Sequence, residues 1–235
     1  MRLFTEVVDH QASSASDILS RDDQVDTTIE VACDAHSVLD GLIVEALRTG
    51  GVRIDCKSGC SWCCYYQVDA LAPEIIAIAA YVREQFTTEG FNALKLRISE
   101  SVNAAIGRTP LEYRALGKPC PMLVNNRCSI YPVRPIACRG WNSRNARKCE
   151  AAHRKPIDRS VTIPIYGVIN ALADSVSCGL SKALNREGLE SDPVNLTAAL
   201  NLALNNPDVA VLWRFRERPF AAAKSSPISR IETDD

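Results

Sequence analysis

Four cysteines fall within nine residues, in the run Cys56-Lys-Ser-Gly-Cys60-Ser-Trp-Cys63-Cys64. A polar loop this short can aim several thiolates at one positive centre, and its backbone N–H groups can donate to the sulfurs. Gly59 permits the sharp reversal that such a loop needs. The adjacent pair Cys63-Cys64 is less simple. In extended chain, neighbours point to opposite sides. Both can therefore serve one metal only in a turn or at a helix start; otherwise they serve two centres, or one of them is structural.

A second element follows at Cys120-Pro-Met-Leu-Val-Asn-Asn-Arg-Cys128-Ser-Ile-Tyr131-Pro-Val-Arg134-Pro135-Ile-Ala-Cys138-Arg139, with Cys149 eleven positions further on. Asparagine tolerates the positive φ of a tight turn, so Asn125-Asn126 predicts a hairpin that brings Cys120 and Cys128 together across its strands. Tyr131 and Pro135 then fix the path that returns Cys138 to them. Four cysteines on one loop rarely all serve one tetrahedral ion, so the second element is expected to complete the same site or a neighbouring one. The candidate metal ligands are Cys56, Cys60, Cys63, Cys64, Cys120, Cys128, Cys138 and Cys149, with Tyr131, Arg134 and Arg139 beside them. Thiolates alone suit either zinc or an iron–sulfur cluster.

These residues resemble the YkgJ family of cysteine-cluster proteins, the CxxCxxCC family, described as a zinc- or iron-chelating domain. The resemblance rests on Cys56, Cys60, Cys63 and Cys64, then Cys120-Pro121, Cys128-Ser-Ile-Tyr131, Arg134-Pro135 and Cys138-Arg139, and it spans about residues 56–140. The first gap holds three residues where the family shorthand has two. The resemblance implies a metal or iron–sulfur centre and no particular reaction. A related cysteine-rich region in flagellin lysine methylases points toward methyl transfer. The spacing Cys56-x3-Cys60-x2-Cys63, with Trp62 before the last cysteine, is also similar to the radical S-adenosylmethionine loop. Those enzymes place that loop in a β/α barrel, and this chain shows no strand–helix alternation.

The elements that must position the cysteines read as helices. Asp22 to Thr49 carries Val25, Ile29, Ala32, His36, Leu39, Ile43 and Leu47 at helical spacing, closed by Gly50-Gly51. His36 on that stripe is read as a core or rim histidine. Pro73 suits the first turn of a second helix running to about Phe86, and Thr88 can cap a third that runs to Ile106. A short basic helix is expected from Ser143 to Arg154, a long apolar one over Ile163–Leu184, and two more over Asn195–Asn205 and Pro207–Arg218. Cys33 and Cys178, each alone in a helical pattern, are read as buried small hydrophobes. The fold class is mainly α: a helical domain with a small β-hairpin and cysteine-rich metal-binding loops. Residues 1–20 are expected to be a flexible lead, 21–220 one helical domain with the cysteine cluster at 56–149 as its core, and 221–235 a disordered tail.

The composition is that of an ordinary globular chain: 235 residues, 46% hydrophobic and 23% charged, with 27 basic residues against 28 acidic. So balanced a charge gives no general attraction to nucleic acid or anionic membrane. No stretch approaches the ~20 apolar residues of a membrane helix, and nothing at the N-terminus reads as a signal peptide. A reducing, cytoplasmic location follows, where clustered cysteines point to metal or redox chemistry before disulfides. Charge is uneven along the chain. Residues 1–50 hold ten acids against three bases, and residues 134–159 hold eight bases against two acids. The basic stretch reads equally as a solvated face or as compensation for the negative charge of a thiolate centre, with nucleic acid third.

The leading expectation is a metal- or iron–sulfur-binding protein, zinc or iron chelated by the clustered cysteines, whose partner is the ion or cluster itself. The alternatives are a redox or methyl-transfer enzyme at an iron–sulfur centre, or an interaction module stapled by zinc. No Ser-His-Asp, HExxH or GxxxxGK[ST] pattern supplies a catalytic group.

Overall fold

The computed structural model describes residues 2–21, 25–158 and 160–224. Helix dominates: α1 (Arg2–Leu19), α2 (Val25–Gly50), α3 (Ala72–Gln85), α4 (Thr88–Ala105), α5 (Pro110–Ala115), α6 (Ile136–Gly140), α7 (Ala146–Arg154), α8 (Gly167–Arg186), α9 (Leu196–Asn205) and α10 (Val209–Arg214). Two antiparallel two-stranded ladders complete it. β1 (Asp69–Ala70) pairs with β4 (Val194–Asn195), and β2 (Leu123–Val124) pairs with β3 (Arg127–Cys128). Short 3-10 turns cover Tyr131–Val133 and Ala221–Ala223. No helix among the described residues is long and apolar enough to cross a membrane.

Local chemistry sets most boundaries. Thr87, one residue before the expected cap, accepts from Gly90 N at 3.1 Å and starts α4. Asn145 caps α7, and Asn195 caps α9. Asn125 and Asn126 take φ of 50° and 59°, the left-handed pair of a tight hairpin turn between β2 and β3. The long apolar helix begins later than expected, at Gly167, since Ile163–Tyr166 is not helical and Tyr166 has an extended backbone. The last helix is shorter, Val209–Arg214. Away from the chain termini, two features stand out as having no counterpart in the sequence reading. One is α5, started by the capping box of Thr109 and Glu112. The other is the β1–β4 ladder, whose strands lie far apart in sequence.

The reading of residues 1–20 as a flexible lead is overturned. Over Arg2–Leu19 the chain is helical and buries Val7, Ala12, Ala15, Ile18 and Leu19. The stripe uses small residues, so helix α1 can lie close on α8. At Gly179 of α8 an added Cβ would come within 2.5 Å of Val8 O. The interface works by close backbone approach, which large apolar side chains would have signalled more plainly. Of the expected tail, Ala221–Lys224 is ordered onto the body through an isolated bridge from Lys224 to Val194. The remaining eleven positions of that expectation, and Asp22–Gln24 of the expected second helix, lie outside the described residues.

The core is aliphatic. Leu39 of α2, Ile75 and Ile78 of α3, Leu94 and Ile98 of α4, Val176 and Leu180 of α8 and Leu200 of α9 are essentially inaccessible, together with Trp213 and Phe220. Helix α6, only five residues long, is held against α8 at Gly140, where a Cβ would stand 2.4 Å from that of Ala173. That contact places Cys138 relative to the rest of the body.

Candidate metal centre

The cysteine loop folds as successive tight turns. Cys60 N donates to Lys57 O at 3.0 Å, Cys64 N to Ser61 O at 2.9 Å, and Tyr66 N to Cys63 O at 3.3 Å. Gly59 takes φ +91°, a conformation open to glycine and strained for other residues. In this run of turns the adjacent Cys63 and Cys64 stay close enough for the Cys64 thiol to raise Cys63.

Two long-range contacts bring the other cysteines to this loop. Cys120 N donates to Cys64 O at 2.7 Å, which sets the hairpin beside the loop. Ser143 N donates to Cys56 Sγ at 3.2 Å, and Asp55 N donates to Ser143 O at 2.8 Å. Asp55 also accepts from Ala146 N at 2.9 Å, so the start of α7 is tied to the start of the loop. Ser143 also favours the thiolate form of Cys149 on α7. His153, further along α7, packs its ring on Tyr65 at 4.1 Å and on Trp62 at 5.4 Å. Ser143, Asp55 and His153 play no part in the sequence reading of the site. They are ordinary polar and aromatic residues whose role exists only in the folded chain.

The sulfurs form two electrostatically linked groups. Cys60, Cys63 and Cys149 all bear on Cys56. Cys63 and Cys128 bear on Cys120, and Cys120, Cys63 and Cys128 bear on Cys138. Cys63 belongs to both groups. Burial is the main force that pushes Cys56 up to about 11 and Cys120 up to about 12, from an ordinary value of 9.0. Burial likewise raises Cys128, Cys138 and Cys149, and neighbouring thiolates add to the rise. Cys63 is raised first by its hydrogen bond to Cys64 and then by burial. These thiols are therefore neutral at pH 7 when no cation is nearby. Among the described residues, no three Cys, His, Asp or Glu side chains converge as ligands of a single ion.

The donor set fits a thiophilic ion. The backbone at Met122 and at Ile130, two residues onward in each case, favours the thiolate forms of Cys120 and Cys128. Arg134 lies close enough to favour the charged forms of Cys63 and Cys128. Its guanidinium covers the ring of Tyr131 at 3.9 Å, and its buried Nε makes no hydrogen bond with the described residues. A thiolate would satisfy that donor.

Arg139 behaves otherwise. It donates to the carbonyls of Arg134 and Pro132 and pairs with Asp40 on α2. Of the two arginines only Arg134 is thus placed to favour thiolates, while Arg139 clamps the proline-bounded turn to α2. The other cations of the stretch, Arg144, Arg147, Lys148, Arg154 and Lys155, are exposed. Arg159 lies outside the described residues.

Glu74 is the buried group the sequence reading left out. It is 1% exposed, accepts from Leu71 N at 2.8 Å and Ile136 N at 2.7 Å, and faces His36 Nε2 at 3.4 Å. His36 is thus a core histidine, as expected. The signal for Glu74 was a lone carboxylate inside the most apolar stretch of the chain, three residues after Leu71. Cys33 and Cys178 lie on helices but are solvent-exposed, which corrects their reading as buried hydrophobes. Helical periodicity sets them on the outer faces of α2 and α8.

Residues 55–155 match the model of the family named CxxCxxCC, described as "Putative zinc- or iron-chelating domain". The matched span begins just before Cys56 and ends just after α7, so it contains all eight clustered cysteines. No curated protein and no solved structure matches the chain. The class that fold and site define is thus a mainly helical protein with a cysteine-rich segment similar to a zinc- or iron-chelating domain.

Proposed function

We propose that this protein holds zinc or iron, the latter as an iron–sulfur cluster, through Cys56, Cys60, Cys63, Cys64, Cys120, Cys128, Cys138 and Cys149, in a centre of YkgJ type. The observation that carries this reading is the position of Cys63, within electrostatic reach of cysteines from every other segment of the cluster. Eight thiols are about twice what one tetrahedral ion or one cubane takes, which favours two neighbouring centres. Without an ion these thiols are neutral groups, and Cys56 Sγ donates to Ser143 O at 3.9 Å. Binding would release their protons and turn the sulfurs onto the ion. Ten free cysteines suit a reducing, cytoplasmic compartment.

The test is metal analysis and the visible spectrum of protein purified without oxygen. Zinc in at least stoichiometric amount in a colourless protein, or iron with labile sulfide in a brown one, supports the reading and names the metal. Absence of both zinc and iron after reconstitution with each rejects it.

A further inference from the structure

A cavity of about 190 Å³ opens where the exit of the cysteine loop meets the end of α4 and the start of α9. Its apolar wall is made by Tyr66, Val68, Val102, Ala105, Pro121 and Leu196. Ser101 and Tyr113 also line it, and their hydroxyls bond each other at 2.6 Å, so they are satisfied without a ligand. Three cations border the space, Arg108, Lys118 and Lys224, against one carboxylate, Asp69. Cys120 lines it too, so the cavity reaches the edge of the cysteine cluster. The size exceeds the ~150 Å³ cavity that accepts a benzene ring.

We propose that this cavity binds a small organic anion, a carboxylate on an apolar body, and holds it beside Cys120. The apolar wall suits the body of such a molecule, and the cationic border suits its charge. Two of the cations already have acidic neighbours: Lys224 bonds Asp192 at 2.7 Å, and Arg108 lies near Glu112. Lys118 makes no ion pair with the described residues, and it supplies the charge that selects an anion over a neutral molecule of the same shape. The site does not depend on which metal the cysteines hold.

The probe is 4-fluorobenzoate, of about ten non-hydrogen atoms, titrated into the full chain as purified and followed by fluorine NMR. A ligand of this size in a preformed apolar pocket is expected to bind with a dissociation constant of about a millimolar. Lys118→Glu should weaken it at least ~5-fold, as should replacing the probe by 4-fluorobenzamide, since a surface-level charge contact is worth about 1 kcal/mol. Ala105→Trp should abolish binding by filling the space. Lys118 is exposed, so its variant remains decisive if Ala105→Trp fails to fold. Equal binding by the parent chain and Lys118→Glu, equal binding of acid and amide, or no binding at ~20 mM probe would overturn the proposal. Metal content measured on the same samples keeps this outcome separate from that of the metal centre.

Discussion

Glu74 accepts the backbone N–H of Ile136 at 2.7 Å, although 62 residues separate them. Its other oxygen accepts from Leu71 N at the start of its own helix. One buried carboxylate thus ends two chains of events: it closes the first turn of α3, and it fixes the first turn of α6, which carries Cys138. Glu74→Ala would leave two buried N–H groups without acceptors. At roughly 1–3 kcal/mol for each unsatisfied group, the expected loss is about 2–6 kcal/mol. Glu74→Gln keeps one acceptor and should lose about half as much. Thermal melting and metal content should fall together in both variants; melting that falls with metal content intact would confine Glu74 to the capping of α3.

The cysteine cluster separates by variant into sulfurs that hold metal and sulfurs that do not. Cys60→Ser and Cys128→Ser should lose metal and several kcal/mol of stability, because site formation and folding are linked. Cys33→Ala and Cys178→Ala, on exposed outer faces, should keep full metal content and melt within about 0.5 kcal/mol of the parent. Metal analysis and melting on the four variants check this.

The two arginines should answer differently. Arg134→Gln removes the positive charge near Cys63 and Cys128, so thiolates become harder to form and metal affinity should fall and shift to higher pH. Arg139→Gln strips donors from two carbonyls and breaks the pair with Asp40. It should cost about 2–4 kcal/mol of stability while the pH profile of metal affinity stays in place. A chelator competition run from pH 6 to pH 9 separates the two.

The metal-free chain should lose stability in alkali. Cys56 and Cys120 are raised from 9.0 to about 11 and about 12 in the folded state. Below pH 9 both states keep these protons, and the contribution is fully present. Above it the unfolded chain ionises first, which favours unfolding until the folded thiols titrate as well. Denaturant midpoints of the metal-free protein should decline from pH 9 toward pH 11, and metal should remove much of that decline by holding the thiolates at lower pH.

Gly140 sets the distance of α6 from α8. A branched side chain there meets Ala173 at 2.4 Å, so Gly140→Val must push α6 away and carry Cys138 with it. We expect a loss of about 2–4 kcal/mol together with reduced metal content. Gly140→Val combined with Ala173→Gly, which opens the space, should recover part of both.

What the sequence determined by itself is local. The spacing of Cys56–Cys64 fixed a turn-rich loop, because Gly59 admits a φ open to few other residues. Asn125-Asn126 fixed the turn of the hairpin, but the ladder sets Cys128 opposite Leu123, and Cys120 lies before β2 rather than across from Cys128 as expected. Pro73 and Asn195 fixed the starts of α3 and α9, since a missing N–H or a side-chain acceptor acts within one helical turn. The tertiary structure decided everything that depends on distant partners. Arg139 is drawn to Asp40 and two turn carbonyls because α2 happens to lie there. Arg134, five residues earlier, is left with its charge toward the sulfurs. Helix α1 packs because Gly179 lets it come close, and that opportunity lies some 170 residues away in the chain. Periodicity assigns a residue to a helix, but only the choice of which face is covered decides that Cys33 and Cys178 point to water while Cys149 points inward. Each of these outcomes is set by burial against a partner, and spacing along the chain carries no record of which partner that is.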